Sequence, residues 1–116
     1  MGWLGIWCVK RGEVWWVEFD PAVGTEIKKT RPAVIFSNDL ANRQLSRVIV
    51  IPLTSNTGKL YPGEAPVHLE GRTSKAMADQ IMAADKSRLK QRLGAISKTE
   101  LALIEDAVAL HLGMKR

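Results

Sequence analysis

Apolar and polar positions along the chain fall into short runs separated by turn-forming residues, with one longer helical repeat near the end. Residues 13 to 19, Glu-Val-Trp-Trp-Val-Glu-Phe, are dense in β-branched and aromatic types and stop at Asp20-Pro21, which predicts a first strand. The stretch from Ala22 to Thr30 has a glycine, mixed charge and no period, and reads as an exposed loop. Arg31-Pro32 closes it. Proline disfavours the α region for the residue before it, so Arg31 is held extended at the mouth of a second strand, Ala33-Val34-Ile35-Phe36. Ser37-Asn38-Asp39 breaks that run. Arg47 to Leu53 is a third, nearly continuous apolar strand expected to be buried on both faces, and Pro52 suggests that it leaves its ladder there.

Thr54-Ser55-Asn56-Thr57-Gly58 is a polar turn cluster, continued by Tyr61-Pro62-Gly63 before a short strand over Ala65 to Leu69. Residues 75 to 84 lack a strong period and are read as a strand pair or one bent strand. The final element is sharper. Ser97-Lys98-Thr99-Glu100 is a capping box, and Leu101, Ile104, Val108 and Leu112 recur at helical spacing before Gly113, which predicts a helix from about 98 to 112. Short strands followed by one helix predict an α+β fold, mainly β, on a small bent sheet.

Length adds one constraint, since 116 residues of which 46% are hydrophobic fit one compact domain. A single cysteine, Cys8, excludes an intramolecular disulfide and suits a reducing compartment, so a cytoplasmic location is expected. In the apolar opening, residues 1 to 9, the basic pair Lys10-Arg11 follows the apolar run, whereas a secretory signal puts positive charge first. That opening is read as an N-terminal tail, with the domain over 10 to 116. No apolar run approaches the ~20 residues of a membrane span, and no membrane association is expected.

The formal charge of +5 favours contact with phosphates. Between Lys86 and Lys98 there are five basic residues and no acidic ones, and spacing of two through Lys86, Arg88, Lys90 and Arg92 would place four charges on one face of an extended segment. Such a face could track a nucleic-acid backbone or simply be a solvated edge protected by its charges. His68 and His111 lie far apart and belong to no spaced ligand cluster, so no metal and no cofactor is expected. Cys8 has no marked activating partner. What remains are polar groups at strand ends: Glu26, Lys28, Lys29 and Arg31 around one loop, and Thr54, Ser55 and Asn56 where the third strand stops. A simple antiparallel hairpin of the second and third strands would bring Arg31 and Thr54 to the same end of the sheet, where a guanidinium fork and a hydroxyl could meet around one phosphate. On residue types alone, the favoured reading is structural, with Arg31 in a surface ion pair with Glu26 and Thr54 capping a turn.

The string from Lys10 to Pro21, then Gly24-Thr25-Glu26, Arg31-Pro32-Ala33-Val34-Ile35, Pro52-Leu53-Thr54-Ser55 and Ala78-Asp79-Gln80-Ile81, resembles the MazF/PemK family of bacterial toxin endoribonucleases over roughly residues 10 to 112. The resemblance implies a small SH3-like barrel of the MazF/CcdB kind with a C-terminal helix, a homodimer, and metal-independent cleavage of single-stranded RNA at short motifs. It implies that Arg31 and Thr54 are the catalytic pair and that Glu26 is a base or an orienting partner for Arg31. Ser74 and Gln80 match RNA-contacting positions, and Lys28 and Lys29 sit in a loop placed over the substrate. Some relatives carry a histidine before the Arg-Pro pair; Thr30 stands here, so no imidazole base is assigned. The implied partners are single-stranded RNA and a cognate antitoxin with a disordered acidic tail, with DNA reached only indirectly through that antitoxin. The alternatives are a gyrase-binding toxin of the same fold, like CcdB, and a non-catalytic RNA-binding module.

Overall fold

The computed structural model describes residues 8–19 and 29–114. The strands are β1 (Glu13–Phe19), β2 (Lys29–Ile35), β3 (Arg47–Thr54), β4 (Glu64–Leu69), β5 (Arg72–Met77), β6 (Met82–Asp85) and β7 (Leu89–Ala95). The helices are α1 (Asp39–Gln44) and α2 (Lys98–Leu112), and short 3-10 turns cover Ala78–Gln80 and Lys86–Arg88. All strand pairs are antiparallel, in the order β4-β5-β3-β2-β1-β7, with β6 also against β3.

Alternation along β1, β2 and β3 explains why these apolar runs are strands buried on both faces. Val14, Val34, Ile51 and Leu53 face one way and pack with Ala65, Val67 and Ala76 against Ile104, Ala107 and Val108 of α2. Trp15, Val17, Ala33, Ile35, Val48 and Val50 face the other way and enclose Ala84, Leu89 and Val9. Val9 thus belongs to a core rather than to a loose tail, and only its part of the 1–9 stretch bears on that reading; residues 1–7 lie outside the described residues. Pro52 sits where the outer edge of β3 changes partner, from β6 at Arg47 to Val50 to β5 at Leu53 and Thr54, a place where a missing backbone donor is tolerated.

The sheet curls but is not closed by hydrogen bonds, so the expected barrel is an open one. Its end strands β4 and β7 approach through side chains: a Cβ on Gly94 would stand 3.0 Å from Leu69 Cδ1. A side chain at 94 would make Leu69 shift by a few tenths of an ångström at that seam.

Two local features differ from the sequence reading. The break at Ser37-Asn38-Asp39 opens a one-and-a-half-turn helix, α1, because the Asn38 side chain accepts from Ala41 N and caps it. The run from Lys86 to Arg92 is not one extended face. It begins as a 3-10 turn, and the β1–β7 ladder then shifts register twice, so period 2 is lost. Lys86 is only 3% exposed, and its ammonium donates to the Asn42 carbonyl at the end of α1. Burial lowers its pKa. Lys90 and Arg92 pair with Glu18 and Glu13 of β1 instead of forming an open stripe.

The predicted C-terminal helix is present over the expected span with its capping box complete: Glu100 N donates to Ser97 Oγ at 3.1 Å and Ser97 N to Glu100 Oε1 at 3.0 Å. Glu100 Oε2 also accepts His68 N of β4 at 2.6 Å, so one carboxylate caps α2 and docks it on the sheet. Burial works against ionisation of Glu100, but the donors from Ser97 and His68 outweigh it and the pKa is lowered. Replacing Ser97 with Ala should cost about 1 kcal/mol, read as a fall of about 4 °C in Tm. A carboxyl with a lowered folded pKa contributes stability above its unfolded value and loses it as pH falls through the folded one. The Tm of Glu100→Gln should therefore depend less on pH than that of the parent chain across the region below pH 4.5.

Candidate functional site

The geometry of the site follows from the register between β2 and β3. Ala33 lies opposite Pro52, Val34 opposite Ile51 and Ile35 opposite Val50. The ladder ends at Ala33 and Pro52, two residues short of Arg31 on β2 and of Thr54 on β3, so both stand just beyond the same end of the pairing. Because facing residues of an antiparallel pair share a side of the sheet and every second residue returns to it, Arg31 and Thr54 share the side of Ala33 and Pro52. Arg31 is also opposite Val17 of β1, which anchors its backbone in the centre of the sheet while the side chain stays half-buried. Among the described residues, no carboxylate pairs with Arg31. Glu26, the partner of the ion-pair reading, and Lys28 lie outside the described residues. Lys29 lies opposite Phe19 at the start of β2.

Thr54 ends β3 and begins the turn. Its Oγ1 accepts from Asn56 N at 3.2 Å. A hydroxyl that accepts a backbone N–H still has its own O–H to donate, so this turn leaves Thr54 a donor for an anion beside it. Ser55 and Asn56 are exposed directly beyond it.

The structure separates the other expected positions. Ser74 is opposite Val67 in β4, and alternation puts it on the other side of the sheet from its neighbour Lys75. Gln80 is exposed in the 3-10 turn after β5, with its Nε2 3.4 Å from Met77 Sδ. His68 is exposed on β4, its Nδ1 3.3 Å from Thr73 Oγ1, and His111 is exposed near the end of α2. Cys8 is free and exposed. Among the described residues, no group of three His, Cys, Asp or Glu is placed to hold a metal ion, and no helix is long and apolar enough to cross a membrane.

One residue beside Thr54 escapes sequence reasoning. Lys75 of β5 is directly opposite Thr54, on the edge of β3 away from β2. Lys75 is only 6% exposed. Its ammonium donates to Glu64 Oε1 at 2.9 Å and to the Lys59 carbonyl at 2.6 Å. Glu64 Oε1 accepts Tyr61 N as well, at 2.8 Å, and this backbone donor, together with Lys75, lowers the Glu64 pKa against the effect of burial. A lysine in a short polar strand reads as solvated; nothing in the pattern of β5 marks it as covered.

This arrangement offers a cation fork and a hydroxyl donor on one side of a sheet end, which suits an anionic centre such as a phosphodiester. Comparison with known proteins points the same way. A family model described as PemK-like, MazF-like toxin of type II toxin-antitoxin system matches residues 10–112. The chain is 40% identical over 117 aligned positions to Endoribonuclease MazF9 of Mycobacterium tuberculosis, covering 91% of this chain and 98% of that protein. Among solved structures, MazF from Deinococcus radiodurans superposes with a TM-score of 0.79 at 27% identity, over 92% of this chain and 98% of the other. An endoribonuclease in complex with its cognate antitoxin from a mycobacterial species superposes with a TM-score of 0.78 at 25% identity, over 93% and 98%. With a family model matched over residues 10–112 and a relative 40% identical over most of both chains, the chain belongs to the PemK-like, MazF-like toxin family of type II toxin–antitoxin systems.

Proposed function

We propose that this chain, an endoribonuclease of the MazF kind, cuts single-stranded RNA at short sequence motifs without a metal, using Arg31 and Thr54 on the scissile phosphate. The observation that supports this reading is the antiparallel β2–β3 pairing, whose ladder ends at Ala33 and Pro52, two residues short of both Arg31 and Thr54. In the reaction the ribose 2′-oxygen attacks the adjacent phosphorus and loses its proton. The bond from phosphorus to the 5′-oxygen breaks, and that oxygen takes up a proton. The products are a 2′,3′-cyclic phosphate and a 5′-hydroxyl.

The substrate supplies the nucleophile, so the protein's part is in-line positioning and stabilisation of the charge on the five-coordinate phosphorus. Arg31 stays protonated and cannot accept the 2′-proton; it binds the phosphate oxygens through its fork. Thr54 adds a hydroxyl donor whose orientation is supported by the bond from Asn56 N. Glu26 is assigned as base or as the group orienting Arg31. Lys28, Lys29, Ser55, Asn56, Ser74 and Gln80 are assigned to RNA contacts, of which Ser55 and Asn56 stand nearest Thr54 in sequence. A cognate antitoxin with an acidic, disordered tail would suit the +5 charge of the chain and compete with RNA for Arg31. A homodimer would cover Leu60, Leu103 and Leu110, which are exposed around a groove of about 440 Å³ between α2 and the segment before β4.

Loss of one such donor typically costs about a hundredfold or more in turnover. Arg31→Ala and Thr54→Val should each lose at least that much in gel-resolved RNA cleavage while keeping the circular dichroism of the parent; full activity in Arg31→Ala would sink the assignment. An RNA with a single 2′-deoxy sugar at the cut site should resist cleavage, and cutting should persist in EDTA with new 5′-hydroxyl ends. Retention of RNA without new ends would instead support the binding module, and inhibition of gyrase supercoiling without RNA cleavage would support the gyrase toxin. Light scattering should give twice the 12.9 kDa chain mass, shifting to the single-chain mass in Leu110→Asp.

A further inference from the structure

We propose that Lys75 is a positioning residue of the RNA site: its buried pair with Glu64 fixes the segment 55–63, and with it Ser55 and Asn56, relative to Thr54. The inference rests on the endoribonuclease reading and adds to it a residue that touches neither substrate nor the reacting atoms. Two points of the segment and the residue that follows it converge on one ammonium. Lys75 Nζ holds the Lys59 carbonyl at 2.6 Å and Glu64 Oε1 at 2.9 Å, and it lies 5.5 Å from the centre of the Tyr61 ring. Tyr61 is tied in again from both sides of its backbone: its N–H donates to Glu64 Oε1, and its carbonyl accepts Glu64 N at 3.0 Å. Lys59 Nζ, 5.1 Å from the same ring, adds a second cation beside it. At the other end of the segment Asn56 N is bonded to Thr54 Oγ1, and Thr54 is itself the strand partner of Lys75.

The segment therefore leaves β3 at Thr54 and is gathered back onto the residue facing Thr54. Without that tether the exposed residues from Ser55 to Leu60, mostly polar, would be free to sample many conformations. A buried ion pair is a poor way to gain stability, because desolvation offsets most of its attraction, and an apolar pair of similar volume packs as well. Its effect is geometric: one carboxylate and one ammonium with fixed hydrogen-bond partners admit a single arrangement of the backbone around them. The consequence for function is that residues next to Thr54 meet RNA preorganised, which lowers the cost of ordering them on binding.

The test uses Lys75→Met, Lys75→Arg and Glu64→Gln in the full chain. Single-stranded RNA of random sequence, cut by the parent and sequenced at its new 5′ ends, supplies the motif, and an oligonucleotide carrying that motif supplies the kinetics. Lys75→Met should raise KM about tenfold with kcat within about threefold, broaden the bases accepted around the cut, and speed amide exchange over residues 56–62 while β2 and β3 stay protected. Lys75→Arg, which keeps the charge and the donors, should restore KM and motif. Unchanged KM and motif in Lys75→Met, whatever its Tm, would overturn the proposal, as would failure of Lys75→Arg to rescue them. If Lys75→Met does not fold, Glu64→Gln, which keeps shape and loses charge, reads the same quantities, and unchanged values there overturn it equally. A parent chain that cuts no RNA overturns the endoribonuclease reading instead, and faster exchange confined to 56–62 in Lys75→Met then still scores the anchor by itself.

Discussion

The register between β2 and β3 is the constraint on which the rest depends. These strands are buried on both sides, so a slip of one residue would turn every side chain to the wrong core: Val34 and Ile51 would leave α2, and Ala33, Ile35 and Val50 would leave the opposite cluster. Two hydrophobic cores thus hold a single pairing in place. The same pairing decides that β2, carrying Arg31, and β3, ending at Thr54, run side by side toward one end of the sheet. The polar site inherits its precision from apolar packing a few residues away, which is a more rigid reference than any loop contact could provide.

Around that frame, polar groups tie the irregular parts to the sheet. The N-terminal turn is held by Arg11, whose guanidinium reaches the Phe36 carbonyl and Glu105 of α2 and stacks 4.5 Å from the Phe36 ring. The helix α1 is held by a buried knot in which Asn42 Nδ2 donates to the Ser37 carbonyl, Ser37 Oγ accepts Ile49 N, and Lys86 closes on the Asn42 carbonyl. The segment after Thr54 is held by Lys75 and Glu64. Each of the last two places a lysine under cover with oxygen partners, so that part of the chain's basic excess is structural and is not presented to a polyanion. The charge count alone overstates the surface available to RNA.

Much of the fold was legible because local patterns and global packing agree. Alternation in β1, β2 and β3 survives into the structure since both faces are apolar, and the Ser97–Glu100 capping box places the start of α2 where it stands. Where prediction failed, a short-range signal competed with a tertiary one. Asn38 reads as a strand breaker and is also a helix cap, and six residues of helix carry too little period to show. The alternating basic residues from Lys86 to Arg92 look like one face, but bulges against β1 break the alternation, and such shifts are set by the partner strand. Of the site, Thr54 was legible as a strand end, whereas Arg31, expected just before the second strand, lies inside a β2 that begins at Lys29, because β1 pairs with it as far as Phe19. Lys75 was not legible, because its burial depends on a segment upstream in sequence that folds back over it, from the Lys59 carbonyl to Glu64, an arrangement no local pattern encodes.

By itself the sequence determined the elements that period, caps and prolines specify and the motifs that mark the family. Tertiary structure alone decided what company the polar residues keep: that Thr54 pairs with Lys75, that Ser74 falls on the opposite side from Lys75, and that Lys86 is covered. The reason is physical. Secondary structure depends on preferences summed over neighbours in the chain, whereas the company a side chain keeps depends on register and on what folds over it, and both are fixed only when the two cores close.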